Sequence, residues 1–285
     1  MNKTLHIKEA IYFGLFRLTT ISVIAFLGYI LILLFSIGGS VINSRFLTAF
    51  WQHRDITQGG IFPAILGSIY LGVGVTLISF PLGIGTALYM TEYSKSGFWQ
   101  RIIQLAIRNL AGVPSVIYGL FGLAVFAQFF RLGASLLSAI LTLSAMTIPW
   151  IVTTSVESLR SVPQPFRESS FALGATKWQT IYRVVLPAAL PGSITGGVIG
   201  IARAMGETAP LILVGATFYL SRLPTSPLDQ FMALPYHTFI LATQHSSPFA
   251  RSYAAATALV LILLTFVLSL GAILLRLYLR ARRDW

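Results

Sequence analysis

Long stretches without a charged residue are the feature that most limits what this chain can fold into. No charge interrupts residues 18–44 or residues 56–91, and each stretch exceeds the roughly 20 apolar residues that cross a bilayer as a helix. Only 10% of the residues are charged, whereas a soluble domain carries about 25%. We therefore predict an all-α polytopic membrane protein with one transmembrane domain over residues 1–285.

Six segments have the length and apolar character of membrane spans. The predicted spans cover residues 18–39, 66–90, 105–130, 135–155, 194–215 and 253–275. Pro81 is expected to kink the second span, and residues 217–250 are expected to form an external loop with one short helix. Of the 20 Lys and Arg residues, 14 fall on the side of the termini, five on the opposite side, and Arg203 within the membrane. Because basic loops remain in the cytoplasm, we predict a multi-pass membrane protein with both termini cytoplasmic.

Several classes of function lack the residues they need. The chain has no cysteine, which excludes disulfides and thiolate chemistry. The four histidines, which show no metal-ligand spacing, are His6, His53, His237 and His245. No arrangement of catalytic residues is visible in the sequence. No GxxxxGK[ST] loop for a nucleotide is present. We expect a non-enzymatic protein without a cofactor of its own.

The segment Ile194–Gly215 carries two ionisable residues inside an apolar stretch. Arg203 and Glu207 are four residues apart, so one continuous helix would place both on the same face. Ionisable residues in a membrane helix normally face the protein interior or a water-filled path. A guanidinium presents a rigid fork of donors that suits a tetrahedral oxyanion. We predict that Arg203 meets an anion and that Glu207 holds the fork when none is present; the alternative is a structural ion pair.

Small residues upstream predict where this helix packs. Gly192, Gly196 and Gly200 recur every fourth residue. That repeat lets a second helix approach closely. Pro114 and Ser115 lie within the third span. A proline kink there exposes carbonyl groups that a solute could use, although most such kinks only shape the bundle.

Residues 161–187 are polar and punctuated by proline, and they follow the pattern of a helix, a turn and a second helix. Ser161 with Gln164 forms one predicted capping box, and Thr176 with Gln179 forms another. Gly174 is expected to end the first helix in a left-handed conformation, and Leu186–Pro187 to close the second. An apolar stripe follows the second capping box at positions Trp178, Ile181, Tyr182 and Val185. Such an amphipathic pair either docks a partner or lies on the lipid surface.

The same loop resembles the EAA loop of ABC importer permeases. The matching residues are Glu168, Ser169, Ser170, Gly174 and then Leu186–Pro187. The two serines stand where the family motif has alanines, and both are small. In that family the loop is the coupling helix that fits a cleft on the cytoplasmic ATPase. The resemblance therefore implies a type I ABC importer permease fold and assigns these residues to ATPase coupling.

Two further segments are similar to the phosphate-specific members of that family. Arg203–Pro210, RAMGETAP, resembles their RAxGETAP signature, and Leu110–Gly122 resembles a second signature. The proline after GETA is similar to the PstA-type subunit. The resemblance implies a permease subunit of an ATP-driven phosphate importer that forms half of an alternating-access path, with Arg203, Glu207 and Ser115 on that path.

The resemblance also implies a set of partners. These are a homologous PstC-type permease, a PstB-type ATPase dimer that binds ATP and Mg, and an external PstS-type phosphate-binding protein, with no nucleic acid. One alternative is an ABC permease for another oxyanion, such as sulfate or molybdate. A more distant alternative is a stand-alone channel or a membrane enzyme.

Overall fold

A computed structural model of the chain describes residues 3–52, 55–94 and 97–281. It is almost entirely helical, and no β-strand occurs among these residues. The helices are α1 (Lys3–Gly38), α2 (Ser44–Thr48), α3 (Phe62–Leu88), α4 (Phe98–Ala111), α5 (Ser115–Gly122), α6 (Leu136–Arg160), α7 (Gln164–Ala172), α8 (Lys177–Thr180), α9 (Leu186–Gly206), α10 (Ala209–Val214), α11 (Leu234–Thr243) and α12 (Ala250–Ala281). Short π-helical segments extend three of them, at Tyr89–Tyr93, Leu123–Phe129 and Ile181–Val185.

Within the described residues, five helices are long and apolar enough to cross a membrane. They run over Ile11–Val41, Phe62–Tyr93, Leu136–Arg160, Lys177–Gly206 and Ala250–Tyr278. A sixth span arises if the bent pair α4 and α5 counts as one. The predicted all-α, multi-pass architecture is thus confirmed. The predicted helices of the first, second, fourth and sixth spans are present and extend beyond most of their predicted ends.

The prediction of one continuous third span is wrong. The chain bends by 103° between Phe98–Ala111 and Ser115–Phe129. The proline ring of Pro114 would clash with the carbonyl of the residue four positions earlier if the helix continued. That residue is Leu110, and its carbonyl instead accepts a hydrogen bond of 2.9 Å from the Tyr118 hydroxyl across the bend. The break is therefore specified locally and closed by a side chain from the next helix.

The fifth span also differs from its prediction. The helix ends at Gly206, and Glu207 follows in an extended conformation with φ −71° and ψ 132°. A continued helix would bring the ring of Pro210 against the carbonyl of Gly206, so the chain restarts as α10 at Ala209. Arg203 consequently lies in the last turn of α9 rather than near the middle of a longer helix.

Helix α6 is the central element, because α3, α5 and α9 all pack against it. The glycine repeat on α9 lies at this contact, as predicted. A Cβ atom at Gly192 would overlap the side chain of Ser158, and one at Gly196 would overlap Thr154. The glycines therefore set how closely α9, the helix that carries Arg203, approaches α6.

The segments between spans form an aromatic cluster at one end of the bundle, and the predicted short helix in residues 217–250 is present as α11. Trp51 and Phe218 pack on the fully buried ring of His237, with centroids 4.5 Å and 4.7 Å away. Burial, with a smaller contribution from His245, lowers the pKa of His237 to about 3.

One of the four histidines and four of the basic residues that predict the orientation lie outside the described residues. They are His53, Arg54, Lys95, Arg282 and Arg283.

Candidate functional site

Arg203 is held between an aromatic face and a carboxylate. Its guanidinium carbon lies 5.1 Å from the ring centroid of Trp150 on α6, and its Nε lies 3.6 Å from Oε1 of Glu207. The Arg203 side chain is 47% exposed and that of Glu207 is 17% exposed. Arginine is favoured in the last turn of a helix, where the backbone carbonyls carry partial negative charge. The ion pair thus exists as predicted, but it spans a helix end instead of one helical face.

The two helix breaks lie against each other. A Cβ atom at Gly119, on α5, would lie 2.8 Å from Cα of Pro210 and 3.5 Å from the carbonyl oxygen of Ala209. Only a residue without a side chain fits this contact. The two signature segments of the sequence therefore meet in space, with the start of α5 on one side and the start of α10 on the other.

Ser115 is the first residue of α5 and is partly exposed. Among the described residues, its side chain forms no hydrogen bond with Arg203 or Glu207. The structure therefore pairs Arg203 with Glu207 and links Ser115 to them only indirectly, through the contact of Gly119 with Pro210.

The loop at residues 161–187 has two helices, α7 and α8. Gly174 ends the first with φ +81°, and Thr176 with Gln179 forms the predicted capping box at the second. Two local predictions are wrong. Ser161 does not cap α7, which begins after Pro163 without a side-chain cap. Leu186–Pro187 does not close the second helix.

The second helix continues past Pro187 because the π-helical turn Ile181–Val185 lies directly before it, so the proline falls where the regular hydrogen-bond ladder is already interrupted. One helix therefore runs from Lys177, through a π-helical turn, to Gly206. Residues of the loop and Arg203 thus lie on the same rod.

An exposed face of the loop combines apolar and polar side chains. Glu168 and Ser169 are exposed, and Leu173 is 89% exposed. The rings of Trp178 and Tyr182 stack with centroids 6.4 Å apart. Below this face the hydroxyl groups of Ser170 and Thr180 are 2.9 Å apart and join the two helices of the loop. The serine at a motif alanine position therefore stabilises the helix pair.

Two contacts in these sites were not predicted from the sequence. Trp150 lies beside Arg203, and Arg167 forms a 2.9 Å ion pair with Glu92. The chain has only eight Asp and Glu residues. That scarcity was a signal that Glu92 pairs with one of the many basic residues. Nothing local in the sequence marks Trp150 as the partner of an arginine on another helix.

Comparison with known proteins identifies relatives over most of the chain. Residues 79–283 match the family described as binding-protein-dependent transport system inner membrane component. The phosphate transport system permease protein PstA 1 of Mycobacterium tuberculosis is 34% identical over 249 residues, which cover 83% of this chain and 79% of that protein. The probable ABC transporter permease protein YqgH of Bacillus subtilis is 40% identical over 194 residues, which cover 65% of this chain and 62% of that protein.

Solved structures share the fold. A chain of a bacterial alginate ABC transporter in complex with an alginate pentasaccharide-bound periplasmic protein superposes with a TM-score of 0.67, at 19% identity over 93% of both chains. The MetNI methionine ABC transporter in an inward-facing conformation gives a TM-score of 0.64, at 16% identity over 76% of this chain and 94% of that chain. The fold is that of type I ABC importer permeases.

Proposed function

The chain belongs to the binding-protein-dependent transport system inner membrane components, and from this membership we propose that it is the permease subunit of an ATP-driven importer of inorganic phosphate. The relatives named phosphate transport system permease proteins support the substrate. The subunit forms half of a path that opens alternately to each side. It catalyses no reaction itself.

The arrangement of Arg203 is the observation that carries the proposal. Stacking on Trp150 holds the cationic group from one face, and Glu207 approaches Nε. The two terminal nitrogens of the fork remain available for a bidentate contact with a phosphate oxygen pair. Phosphate binds these terminal nitrogens and displaces Glu207 from Nε as it passes, and Glu207 returns to Nε afterwards. Ser115 lines the same path at the start of α5.

ATP and Mg are bound by a PstB-type ATPase dimer, not by this chain. The exposed face of the loop at residues 161–187 docks on that ATPase, with Glu168, Ser169 and Ser170 at the contact. Gly174 turns the chain between α7 and α8, and Leu186–Pro187 lie where the second helix continues into α9. The other partners are a PstC-type permease and an external PstS-type phosphate-binding protein. The excess of basic residues on the side of the termini supports a cytoplasmic location for both termini and for the docking loop, with the chain in the bacterial inner membrane.

ATP hydrolysis by the reconstituted complex tests both parts of the proposal. The complex is assayed with its binding protein loaded in turn with phosphate, sulfate or molybdate. We expect stimulation by phosphate alone and loss of that stimulation in Glu168→Arg. Glu157→Arg is the matched control, because Glu157 is also exposed but lies outside the loop. Stimulation by sulfate or molybdate would overturn the assignment of phosphate as the substrate. Undiminished stimulation of ATP hydrolysis in the Glu168→Arg complex would overturn the docking role of the loop.

A further inference from the structure

The loop at residues 161–187 is joined through the chain to two of the long helices only. It follows α6 directly, and its second helix continues into α9 as one rod up to Gly206. Helix α3 is remote in sequence, yet it packs against both α6 and α9. A movement of the loop therefore reaches α6 and α9 through covalent connection, whereas α3 needs a contact to follow it.

Arg167 supplies a contact of this kind. Its Nη1 donates a hydrogen bond of 2.7 Å to the carbonyl of Val162, and its Nη2 donates one of 3.0 Å to the carbonyl of Leu159. Nη2 also lies 2.9 Å from Oε1 of Glu92. The carbonyl bonds fix the guanidinium to the start of the loop and the end of α6, so the group moves with them. Glu92 is the partner that belongs to another helix.

The surroundings make this link specific. The Arg167 and Glu92 side chains are only 14% and 11% exposed, and an open cleft of about 570 Å³ lies beside them between the loop and the end of α3. Apolar packing joins α3 to this region through Ala87, Leu159 and Val162 but does not fill the cleft, so the ion pair adds a directional polar contact across it. The ammonium of Lys177 lies 4.7 Å from the ring centroid of Tyr93 and adds a second contact to the same segment.

Glu92 lies in the π-helical segment Tyr89–Tyr93 that ends α3. Such segments are rare, have i→i+5 hydrogen bonds in place of the α-helical pattern, and occur frequently at functional sites. The ion pair therefore joins the loop to α3 at the π-helical turn that ends this helix. Separating the pair would leave the Glu92 carboxylate, which is only 11% exposed, without its ionic partner, and a buried charge without a partner is strongly unfavourable.

We propose that Arg167 and Glu92 are positioning residues that make α3 follow the loop when the ATPase closes, an inference that rests on the proposed function. The pair converts a displacement of the loop into a joint displacement of α3, α6 and α9. Without it, the ATPase still docks and hydrolyses ATP, but the helices move out of step and less substrate crosses for each ATP.

The absence of cysteine from the chain allows a chemical rescue test. In the purified Glu92→Cys complex, we expect phosphate transported per ATP hydrolysed to fall about tenfold, within the range that coupling between two sites typically spans. A methanethiosulfonate reagent that attaches a sulfonate restores the anion and should restore the ratio. The matched reagent that attaches an ammonium should not. Unmodified complex treated with both reagents controls for cysteines in the partner subunits.

A second readout does not depend on the substrate. Spin labels are placed on the exposed positions Tyr70 of α3 and Leu263 of α12, and the change in their separation on adding ATP is measured. We expect Glu92→Gln to shrink this change while Glu157→Gln leaves it as in the parent complex.

The outcomes separate the two proposals. An unmodified complex that hydrolyses ATP but transports no phosphate would remove the proposed substrate, and the spin-label distances would still decide the role of the ion pair. The inference would be overturned by an unchanged transport ratio in the Glu92→Cys complex or by rescue with both reagents alike. It would also be overturned if ATP changed the label separation as much in Glu92→Gln as in the parent complex.

Discussion

The guanidinium carbon of Arg203 lies 5.1 Å from the ring centroid of Trp150, across the contact between α9 and α6. The aromatic face attracts the cation through its π-electrons and accepts no conventional hydrogen bond from it. A carboxylate in the same place would occupy two donors. The tryptophan therefore holds the arginine in place while its donors stay available for an anion.

Replacing Arg203 by lysine tests whether the fork matters beyond the charge. Lysine keeps one positive charge but cannot form a bidentate contact. Losing a hydrogen bond to a charged group costs about 1.5–3 kcal/mol, so phosphate uptake by proteoliposomes should fall about ten- to a hundredfold. Phosphate uptake should fall further in Arg203→Gln, because glutamine also removes the positive charge. Arg251→Lys is the control because Arg251 is exposed at the start of α12; normal uptake in Arg203→Gln would remove Arg203 from the path.

The contact between Gly192 and Ser158 predicts a non-additive pair of substitutions. A Cβ atom at Gly192 would meet Oγ of Ser158, and that hydroxyl is held by a 2.6 Å hydrogen bond to the carbonyl of Ala189. Gly192→Ala should lower the free energy of unfolding by about 1–3 kcal/mol through overpacking. Ser158→Ala removes the obstructing oxygen, so the double variant should be less destabilised than the sum of the two single variants.

Denaturation in detergent micelles measures this cycle. Gly28→Ala is the matched control, since an added Cβ at Gly28 meets no atom within 4 Å. It should be neutral or slightly stabilising, because alanine loses less backbone entropy than glycine in a helix. Strict additivity of Gly192→Ala and Ser158→Ala would show that the two helices adjust without strain.

Sequence reasoning succeeded for several features that depend on local physics. An uncharged stretch of 27 or 36 residues, such as 18–44 or 56–91, predicts a span because each residue contributes independently to transfer into lipid. The left-handed turn at Gly174 and the Thr176 capping box depend on neighbours a few residues away. Two local breaks were nevertheless missed, the one at Pro114 and the one after Gly206, although each proline was a signal for its break.

The remaining features depend on which helices become neighbours. Arg167 and Glu92 are 75 residues apart in the chain, and each alone is typical of a charge at a membrane boundary. Trp150 lies in α6 and Arg203 at the end of α9, so their contact follows from the close packing at the glycine repeat. The residue types at a site were therefore readable from the sequence, whereas their partners required the fold.

Gly174 predicts a backbone effect that is separate from packing. Its φ is +81°, and an added Cβ meets no atom within 4 Å, so any loss on substitution comes from backbone strain. Gly174→Ala should weaken association of the ATPase with the permease, because strain of about 1–2 kcal/mol opposes the loop conformation. Gly174→Asn should be milder, since asparagine tolerates this region. Equal binding by all three proteins in a pull-down titration would show that the turn does not shape the docking face.

The buried ring of His237 predicts acid sensitivity of the end of the bundle where α11 lies. The pKa of His237 falls from its ordinary value of 6.5 to about 3 because burial disfavours the charged ring, with a smaller effect from His245. The unfolded chain therefore binds a proton at higher pH than the folded one. The contribution of the neutral His237 to the free energy of unfolding is fully present above pH 6.5. It falls as the pH drops towards 3, by about 1.4 kcal/mol per pH unit for a two-state transition.

Thermal unfolding of the parent protein and His237→Phe between pH 7 and pH 4 measures this slope. Phenylalanine fits between Trp51 and Phe218 without the two ring nitrogens of His237, which have no hydrogen-bond partner. Asp55 and Asp229 also have lowered pKa values, because hydroxyl and backbone N–H groups of neighbouring residues donate to them. Both carboxylates lose stabilisation at low pH in either protein, so the difference between the two slopes isolates His237. The variant should lose less stability between pH 6.5 and pH 4.5 than the parent, and parallel slopes would show that His237 is protonated in the folded state.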